Sequence, residues 1–103
     1  MRSIHRVLND EAETVEVFVP GPLRRYCGGS SRIRVSARSV RSTLESLERD
    51  YPSLYCNVCD ETGAVRRHIN VFVNSDHMRD RDGLDTPVSA GDTIIILPAV
   101  SGG

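Results

Sequence analysis

The stretch Asp92–Gly103, DTIIILPAVSGG, constrains the fold of this 103-residue chain more than any other. Residues 94–97 are apolar, three of them are β-branched, and the run is too short for an independent helix, so a strand is predicted here. Apolar side chains on both faces of a strand indicate either burial on both sides or one face kept for a partner. Pro98 lacks the amide proton that a sheet ladder needs, so we expect the strand to end there.

The residues after Pro98 are small or flexible, and the sequence ends in two glycines. Glycine has no Cβ, so such a tail fits a narrow channel and adopts backbone angles closed to other residues. A structural role is disfavoured because ordering glycine costs more conformational entropy than ordering any other residue. We therefore predict that the Gly103 carboxylate is the reactive group and that Ser101 and Gly102 thread the tail into an enzyme. A frayed terminus is the alternative.

Alternating apolar and polar residues predict three further strands, at residues 14–19, 31–35 and 67–74. A proline-glycine-proline sequence closes the first strand, and residues 23–29 are expected to form a loop or turn. Segment 75–92 is rich in aspartate and glycine and is predicted to be a loop with a short edge strand near its start.

A helix is predicted between Ser39 and Tyr51, because apolar residues recur there at i, i+4, i+7 and i+11 from Val40. Ser39 is the predicted N-cap, and Pro52 forbids continuation of the helix. Residues 53–65 are expected to be irregular.

The order β-β-α-β-β matches an α+β protein with a β-grasp fold, in which one helix packs on one face of a mixed sheet. Residues 14–98 form the predicted domain. Residues 1–13 show little apolar periodicity and are expected to be a flexible or accessory lead-in, and residues 99–103 a flexible tail.

Composition narrows the classes of function. The net charge of −1 argues against a protein that binds polyanions as a whole. No apolar run approaches the roughly 20 residues of a membrane span, and the start lacks the apolar core of a signal peptide, so a cytoplasmic protein is predicted. All 13 basic residues are arginine. The chain therefore offers no lysine side chain to accept an isopeptide bond.

The Cys56-x-x-Cys59 pair suggests a metal or redox site. A structural zinc site needs four ligands, and only Cys27 and one of the three histidines could complete it. A redox dithiol is expected to open a helix after a strand, whereas this pair follows the predicted helix. We expect free thiols, with both alternatives open.

Charge is unevenly distributed along the chain. Six arginines precede the next acidic residue, Glu45: Arg24, Arg25, Arg32, Arg34, Arg38 and Arg41. They suit solvated strand edges, and nucleic-acid binding stays an alternative although Tyr26 is the only interleaved aromatic residue. Five aspartates precede the last strand and suit either turns or the steering of a basic partner: Asp76, Asp80, Asp82, Asp85 and Asp92.

The block His68–Gly103 resembles the C-terminal half of the ubiquitin-like sulfur-carrier family, which includes the small subunit of molybdopterin synthase and the thiamine-pathway sulfur carrier. The motifs are Val73–Asn74, Gly91–Asp92 and the ending ILPAVSGG. Through them the chain is most similar to the actinobacterial carrier of cysteine synthesis. Weaker similarity extends back to about Glu13.

The resemblance implies a ubiquitin-like β-grasp whose last strand lies in the middle of the sheet, parallel to the first. Ile94 and Ile96 would then face the helix, and the opposite, open face would carry apolar residues. An open apolar face usually marks a partner surface, although loops could also shield it. The expected partner-binding residues are Phe18, Phe72, Ile95, Leu97, Pro98 and Val100.

The resemblance also implies a protein co-substrate rather than an enzyme. A ubiquitin-activating-like adenylyltransferase would use ATP to adenylate the Gly103 carboxylate, which becomes a thiocarboxylate that donates sulfur to cysteine or to another metabolite or cofactor. Further expected partners are a sulfur-accepting enzyme, of the PLP-dependent cysteine-synthase type, and a metalloprotease that releases product. No cofactor bound to this chain, no nucleic acid and no membrane are expected. The alternative is a ubiquitin-like modifier conjugated through Gly103 to target lysines.

Overall fold

The structure is a computed structural model that describes residues 13–99. Within this range, two helices, three 3₁₀ helices and five strands follow one another. In order they are β1 (Glu13–Phe18), a 3₁₀ helix (Gly21–Cys27), β2 (Arg32–Ala37), α1 (Val40–Asp50), α2 (Pro52–Val58), β3 (Ile69–Val73), β4 (Asp76–His77), 3₁₀ helices at Met78–Asp80 and Gly83–Asp85, and β5 (Thr93–Pro98). The predicted α+β, ubiquitin-like β-grasp fold is confirmed.

The five strands form one mixed sheet in the order β2-β1-β5-β3-β4. β5 lies between β1 and β3, parallel to the first and antiparallel to the second. The prediction that the last strand is central and runs parallel to the first is therefore confirmed. The central position gives β5 neighbouring side chains on both faces of the sheet, which matches the near-continuous apolar run at residues 94–97.

Side chains of β5 alternate between two environments. Ile94 and Ile96 have 0% exposure and belong to the core between the sheet and the helices. Ile95 is half-buried on the opposite face, and Leu97 is 38% exposed there. The predicted assignment of alternate residues to the two faces is confirmed.

Helix α1 begins where the sequence predicts. The Ser39 hydroxyl accepts a hydrogen bond from the Ser42 N–H (3.1 Å), and the Ser42 hydroxyl accepts one from the Ser39 N–H (3.0 Å). This reciprocal arrangement satisfies backbone donors that a helix start otherwise leaves unpaired. The apolar stripe from Val40 through Leu47 is buried against the sheet.

The expectation that residues 53–65 are irregular was wrong for the first part of that segment. Pro52 begins the second helix, because the first turn needs no amide proton from a proline. Leu54 and Val58, one turn apart, are both fully buried and pack the helix onto the core. Cys56 therefore lies within α2, rather than after a helix, and Cys59 caps its end.

Two predicted loops contain regular structure. Residues 23–29 were expected to be a loop, and most of them belong to the 3₁₀ helix Gly21–Cys27, which buries Cys27. The short edge strand expected near residue 77 is Asp76–His77, and two 3₁₀ helices follow it. No helix among residues 13–99 is long and apolar enough to cross a membrane.

Candidate functional site

The face of the sheet opposite α1, here called the open face, carries a row of apolar side chains. Phe18 of β1, Ile95 of β5 and Phe72 of β3 are directly paired across the three central strands. All three are half-buried. Leu97 lies two residues further along β5, opposite Asn70. It is the one exposed large hydrophobic side chain among the described residues.

His77 extends this row at the β4 edge. Its ring lies edge-on to Phe72, with 5.0 Å between the ring centroids. The Nδ1 atom accepts a hydrogen bond from the Arg79 N–H (3.0 Å), so Nε2 carries the proton and donates to the Asn70 Oδ1 (3.0 Å). The hydrogen bond to His77 holds the side chain of Asn70, the residue that pairs with Leu97.

Arginines border the other end of the row. Arg24 donates through Nε to the Val19 carbonyl (2.9 Å), and its guanidinium carbon lies 5.7 Å from the centroid of the Phe18 ring. Arg32 and Arg34 project from β2 on the same face, within 3.2 and 4.0 Å of the Glu16 carboxylate. The open face is thus apolar at its centre and cationic at the β2 edge.

The end of β5 determines where the tail leaves the domain. Pro98 pairs with Ile69 as the last residue of the strand, as predicted. The Ala99 N–H donates to the His68 carbonyl (2.6 Å), so the ladder with the β3 side continues one residue past the proline. Pairing with the β3 side therefore holds the end of β5, whereas pairing with β1 ends at Ile95.

The predicted site residues are only partly brought together within the described region. Ile95 is paired with Phe18 on one neighbouring strand and with Phe72 on the other. Leu97 and Pro98 follow along β5. The remaining predicted residues, Val100, Ser101, Gly102 and Gly103, lie outside the described residues. Sequence reasoning missed His77 and Asn70. Only Asn70 left a sequence signal, since it stands two residues before Phe72 and so shares its face.

Two motifs that carried the family resemblance act together at the start of β5. Asn74 has a positive φ of 56°, and its Oδ1 accepts a hydrogen bond from the Thr93 N–H (3.1 Å). Its Nδ2 donates to Asp92 Oδ1 (3.2 Å), while Asp92 Oδ2 accepts from the Ser89 N–H (2.9 Å). The motifs therefore join the turn after β3 to the start of β5 and set the strand's position.

The cysteines are free thiols in different environments. Cys56 is exposed, whereas Cys59 is buried. Burial, and after it the Asp60 carboxylate, raises the pKa of the Cys59 thiol to about 11, so this thiol is protonated and weakly nucleophilic at neutral pH. Within residues 13–99, no three histidine, cysteine or acidic side chains come close enough to hold a metal ion.

The aspartates before β5 make contacts typical of loop residues. Asp85 pairs with Arg41 at 3.1 Å and Asp76 with Arg81 at 3.6 Å. Such exposed pairs contribute little to stability. Their role in steering a partner stays a prediction.

A β-grasp sheet with one open apolar face defines a ubiquitin-like protein. Residues 17–103 match the ThiS family, and the chain belongs to this family. The family resemblance stated from the sequence is confirmed.

Individual relatives fall into two groups. The Mycobacterium tuberculosis sulfur carrier protein CysO is 33% identical over 91 residues, which cover 86% of this chain and 98% of the relative. A chain of the Amycolatopsis orientalis BexX/CysO complex superposes with a TM-score of 0.79 at 34% identity, covering 86% of this chain and 99% of that one. Small archaeal modifier protein 1 from Methanosarcina acetivorans superposes with a TM-score of 0.76 at 32% identity, covering 89% and 98%. The chain is thus similar to small sulfur carriers and ubiquitin-like modifiers rather than to catalytic enzymes.

Proposed function

We propose that this protein is a sulfur carrier whose Gly103 carboxylate is adenylated and then converted to a thiocarboxylate. The position of β5 is the observation that supports this function. The strand pairs with β1 up to Ile95 and with the β3 side up to Ala99, next to the apolar open face. Gly103 is the fourth residue after Ala99, so its Cα reaches at most about 14 Å from the Ala99 Cα. A partner that docks on the open face therefore receives the tail at a fixed place.

The chemistry starts from a poor electrophile, because a carboxylate is negatively charged. A carboxylate oxygen of Gly103 attacks the α-phosphorus of ATP in the active site of a ubiquitin-activating-like adenylyltransferase, and pyrophosphate leaves. Hydrosulfide, or an equivalent sulfur donor, then attacks the acyl carbon and AMP leaves. The product is a Gly103 thiocarboxylate, whose sulfur is nucleophilic. ATP belongs to the partner, and this chain supplies only the carboxylate and the docking surface.

The sulfur acceptor that we propose is a PLP-dependent enzyme of the cysteine-synthase type acting on an activated serine. The thiocarboxylate sulfur displaces the leaving group on the serine side chain, so that the product is attached to the Gly103 acyl carbon. A metalloprotease then hydrolyses the bond to this acyl carbon with water, which releases the product and regenerates the Gly103 carboxylate. Similarity to two CysO proteins favours this acceptor. Delivery of sulfur to another metabolite or cofactor uses the same tail and the same first two steps.

We propose that the open face is the docking surface for these enzymes. Phe18, Phe72 and Ile95 form a central apolar row, and Leu97 lies between this row and the tail. Burial of such a row against a partner removes apolar surface from water and contributes most of the affinity. The half-buried state of the row in the free protein keeps the face soluble.

A second candidate function is protein modification, in which the Gly103 acyl group is joined to a lysine of a target. The similarity to small archaeal modifier protein 1 favours it. The absence of lysine from this chain means that such a modifier cannot form lysine-linked chains of itself. The two functions share the adenylation step and differ in the nucleophile that follows.

Intact-mass measurement tests the proposal. The protein is incubated with the adenylyltransferase, ATP and sulfide, and the expected result is the mass increase of exchanging one oxygen for one sulfur. Deletion of Gly103 should abolish this increase and ATP–pyrophosphate exchange while leaving the thermal melt unchanged, because the described core ends before the tail. The matched control replaces Cys27, Cys56 and Cys59 by serine and should still be loaded. Normal exchange by the truncated protein would contradict the proposal. Transfer of the Gly103 acyl group to lysines of other proteins, in place of thiocarboxylate formation, would favour the modifier function.

A further inference from the structure

The outer edge of β2 is a second surface that the proposed sulfur chemistry does not use. Within residues 13–99, β2 is the terminal strand of the sheet and pairs with β1 alone. An unpaired strand edge presents backbone N–H and C=O groups that can template another strand. Its capacity to bind depends on which groups point outward and on what surrounds them.

The register of the hairpin identifies the outward groups. The Val19 N–H donates to the Ser31 carbonyl (2.8 Å), so this pair exchanges hydrogen bonds inward. In an antiparallel ladder such pairs alternate with pairs whose backbone groups point away. Following the register, Arg32 and Arg34 belong to the second kind. Their N–H and C=O groups therefore point away from β1 and have no strand partner in the described sheet.

The far end of the same edge is already occupied. The Ser36 carbonyl also points outward by this register, and it accepts a hydrogen bond from the Ser46 hydroxyl of α1 (2.8 Å). Beyond it, the Arg38 carbonyl accepts from the Val88 N–H (3.1 Å). The open part of the edge is thus a short segment centred on two arginines, long enough for a few residues of a strand.

Charge favours one kind of occupant. The side chains of Arg32 and Arg34 are 64% and 76% exposed, and of the carboxylates in the described region only Glu16 forms an ion pair with them. Arg24 adds a third guanidinium beside Phe18 on this face. Three cations and one anion leave an excess of positive charge beside the free backbone groups.

We propose that the Arg32–Arg34 edge binds an extended acidic segment of a partner protein as a sixth strand. Directly opposed residues of adjacent strands share a face, so acidic residues at alternate positions would lie against Arg32 and Arg34. Main-chain hydrogen bonds supply affinity in this mode of recognition, and the alternate side chains supply specificity. Binding here is independent of the chemistry at Gly103, so it can accompany docking on the open face.

Two other occupants fit less well. A second copy of the chain would bring its own arginines against these, because the same edge would pair with itself, and like charges directly opposite are destabilising. Single-stranded nucleic acid would satisfy the arginines. However, it lacks the alternating main-chain donors and acceptors that match a strand edge.

The test uses a synthetic peptide with glutamate at alternate positions separated by valine, titrated into isotope-labelled protein. Amide hydrogen exchange at Arg32 and Arg34 should slow on binding, whereas exchange at the inward-bonded Ile33 should change little. The same peptide N-methylated at the central valine and glutamate, which keeps its charge but removes two donors, should bind about tenfold more weakly. A peptide in which lysine replaces each glutamate should not bind, even at low salt.

Variants of the protein provide the second arm. Arg32→Glu/Arg34→Glu should lose the acidic peptide and gain the lysine peptide, whereas Arg49→Glu, at an exposed arginine of α1, should behave as wild type. Equal binding of the parent and N-methylated peptides would overturn the proposal. Unchanged exchange at Arg32 and Arg34, or equal binding of a thymidine octanucleotide, would do the same. If the double variant fails to fold, the peptide series on the wild-type protein decides.

Discussion

The same substitution should have different effects at two neighbouring residues of β5, with loss of folding at one and loss of partner binding at the other. Ile96 has 0% exposure in the core, and Leu97 is 38% exposed on the open face. Glutamate at each position therefore separates the contribution of the core from that of the proposed docking face. The comparison is internal, because backbone, strand and introduced side chain are the same.

The expected magnitudes follow from burial. Ile96→Glu forfeits about 1.5–3 kcal/mol of apolar burial and places an unpaired carboxylate in the core, at a cost of several kcal/mol more. A domain of this size has a free energy of unfolding of about 5–15 kcal/mol, so this variant should be largely unfolded. Leu97→Glu loses part of a burial that is already incomplete, about 1 kcal/mol. The melting temperature should then fall by only about 4–8 °C.

The assay combines thermal melts with binding to the adenylyltransferase. We expect Leu97→Glu to remain folded and to bind at least about 30-fold more weakly, the loss of about 2 kcal/mol expected when an apolar residue that the partner buries is replaced by a charged one. Leu97→Gln, which lacks the charge, should show an intermediate loss of affinity. If Leu97→Glu melts as Ile96→Glu does, the assignment of faces is wrong. If it folds and binds with native affinity, the open face is not the docking surface.

Two further predictions concern stability. Asn74→Ala should lower the free energy of unfolding by about 2–3 kcal/mol in urea denaturation, because alanine is strained at a φ of 56° and two side-chain hydrogen bonds are lost. The urea midpoint should also fall as the pH rises from about 9 to about 11. The unfolded Cys59 thiol deprotonates near 9.0, whereas the folded one keeps its proton until about 11, so high pH favours the unfolded chain.

Each of these has a matched control. Asn74→Gly removes the same hydrogen bonds without the backbone strain and should recover about 1 kcal/mol, and equal losses in the two variants would contradict the role of the positive φ. Cys59→Ala should flatten the decline above pH 9, while Cys56→Ala should leave it intact. Burial also raises the pKa of Tyr55, so a smaller slope of the same sign should persist in Cys59→Ala. An unchanged slope there would refute the assignment to Cys59.

The parts of the fold that sequence patterns predicted are those governed by local alternation. Strands β1 and β3 and helix α1 repeat apolar residues at the period of their own secondary structure, and Ser39 marks the helix start. α2 was missed because Pro52 was interpreted only as a stop, although proline suits a first turn. With seven residues and two fully buried side chains, this helix is also too short for a periodic signal.

The site was predictable only where it follows the same alternation. Placing Ile95 and Leu97 on the open face required only that side chains alternate between the two faces along one strand, and the structure confirms this placement. The register between β3 and β4 places His77 beside Phe72. The register between β1 and β2 likewise determines that the backbone N–H and C=O groups of Arg32 and Arg34 point outward. Register is set by turn geometry and by packing of the whole sheet, which a single sequence does not display.

β5 links three properties that a carrier of this kind needs in one strand. Ile94 and Ile96 fix it in the core, Ile95 and Leu97 lie on the proposed docking face, and Ala99 at its end is hydrogen-bonded to the β3 side. Because the tail is short, docking on the open face confines its carboxylate to a small volume around the partner's active site. Confinement of this kind turns the reaction of a tethered group into an effectively intramolecular step. Under the proposed function, we expect a longer tail, or an exit strand at the edge of the sheet, to dilute the carboxylate over a larger volume and so to slow its activation.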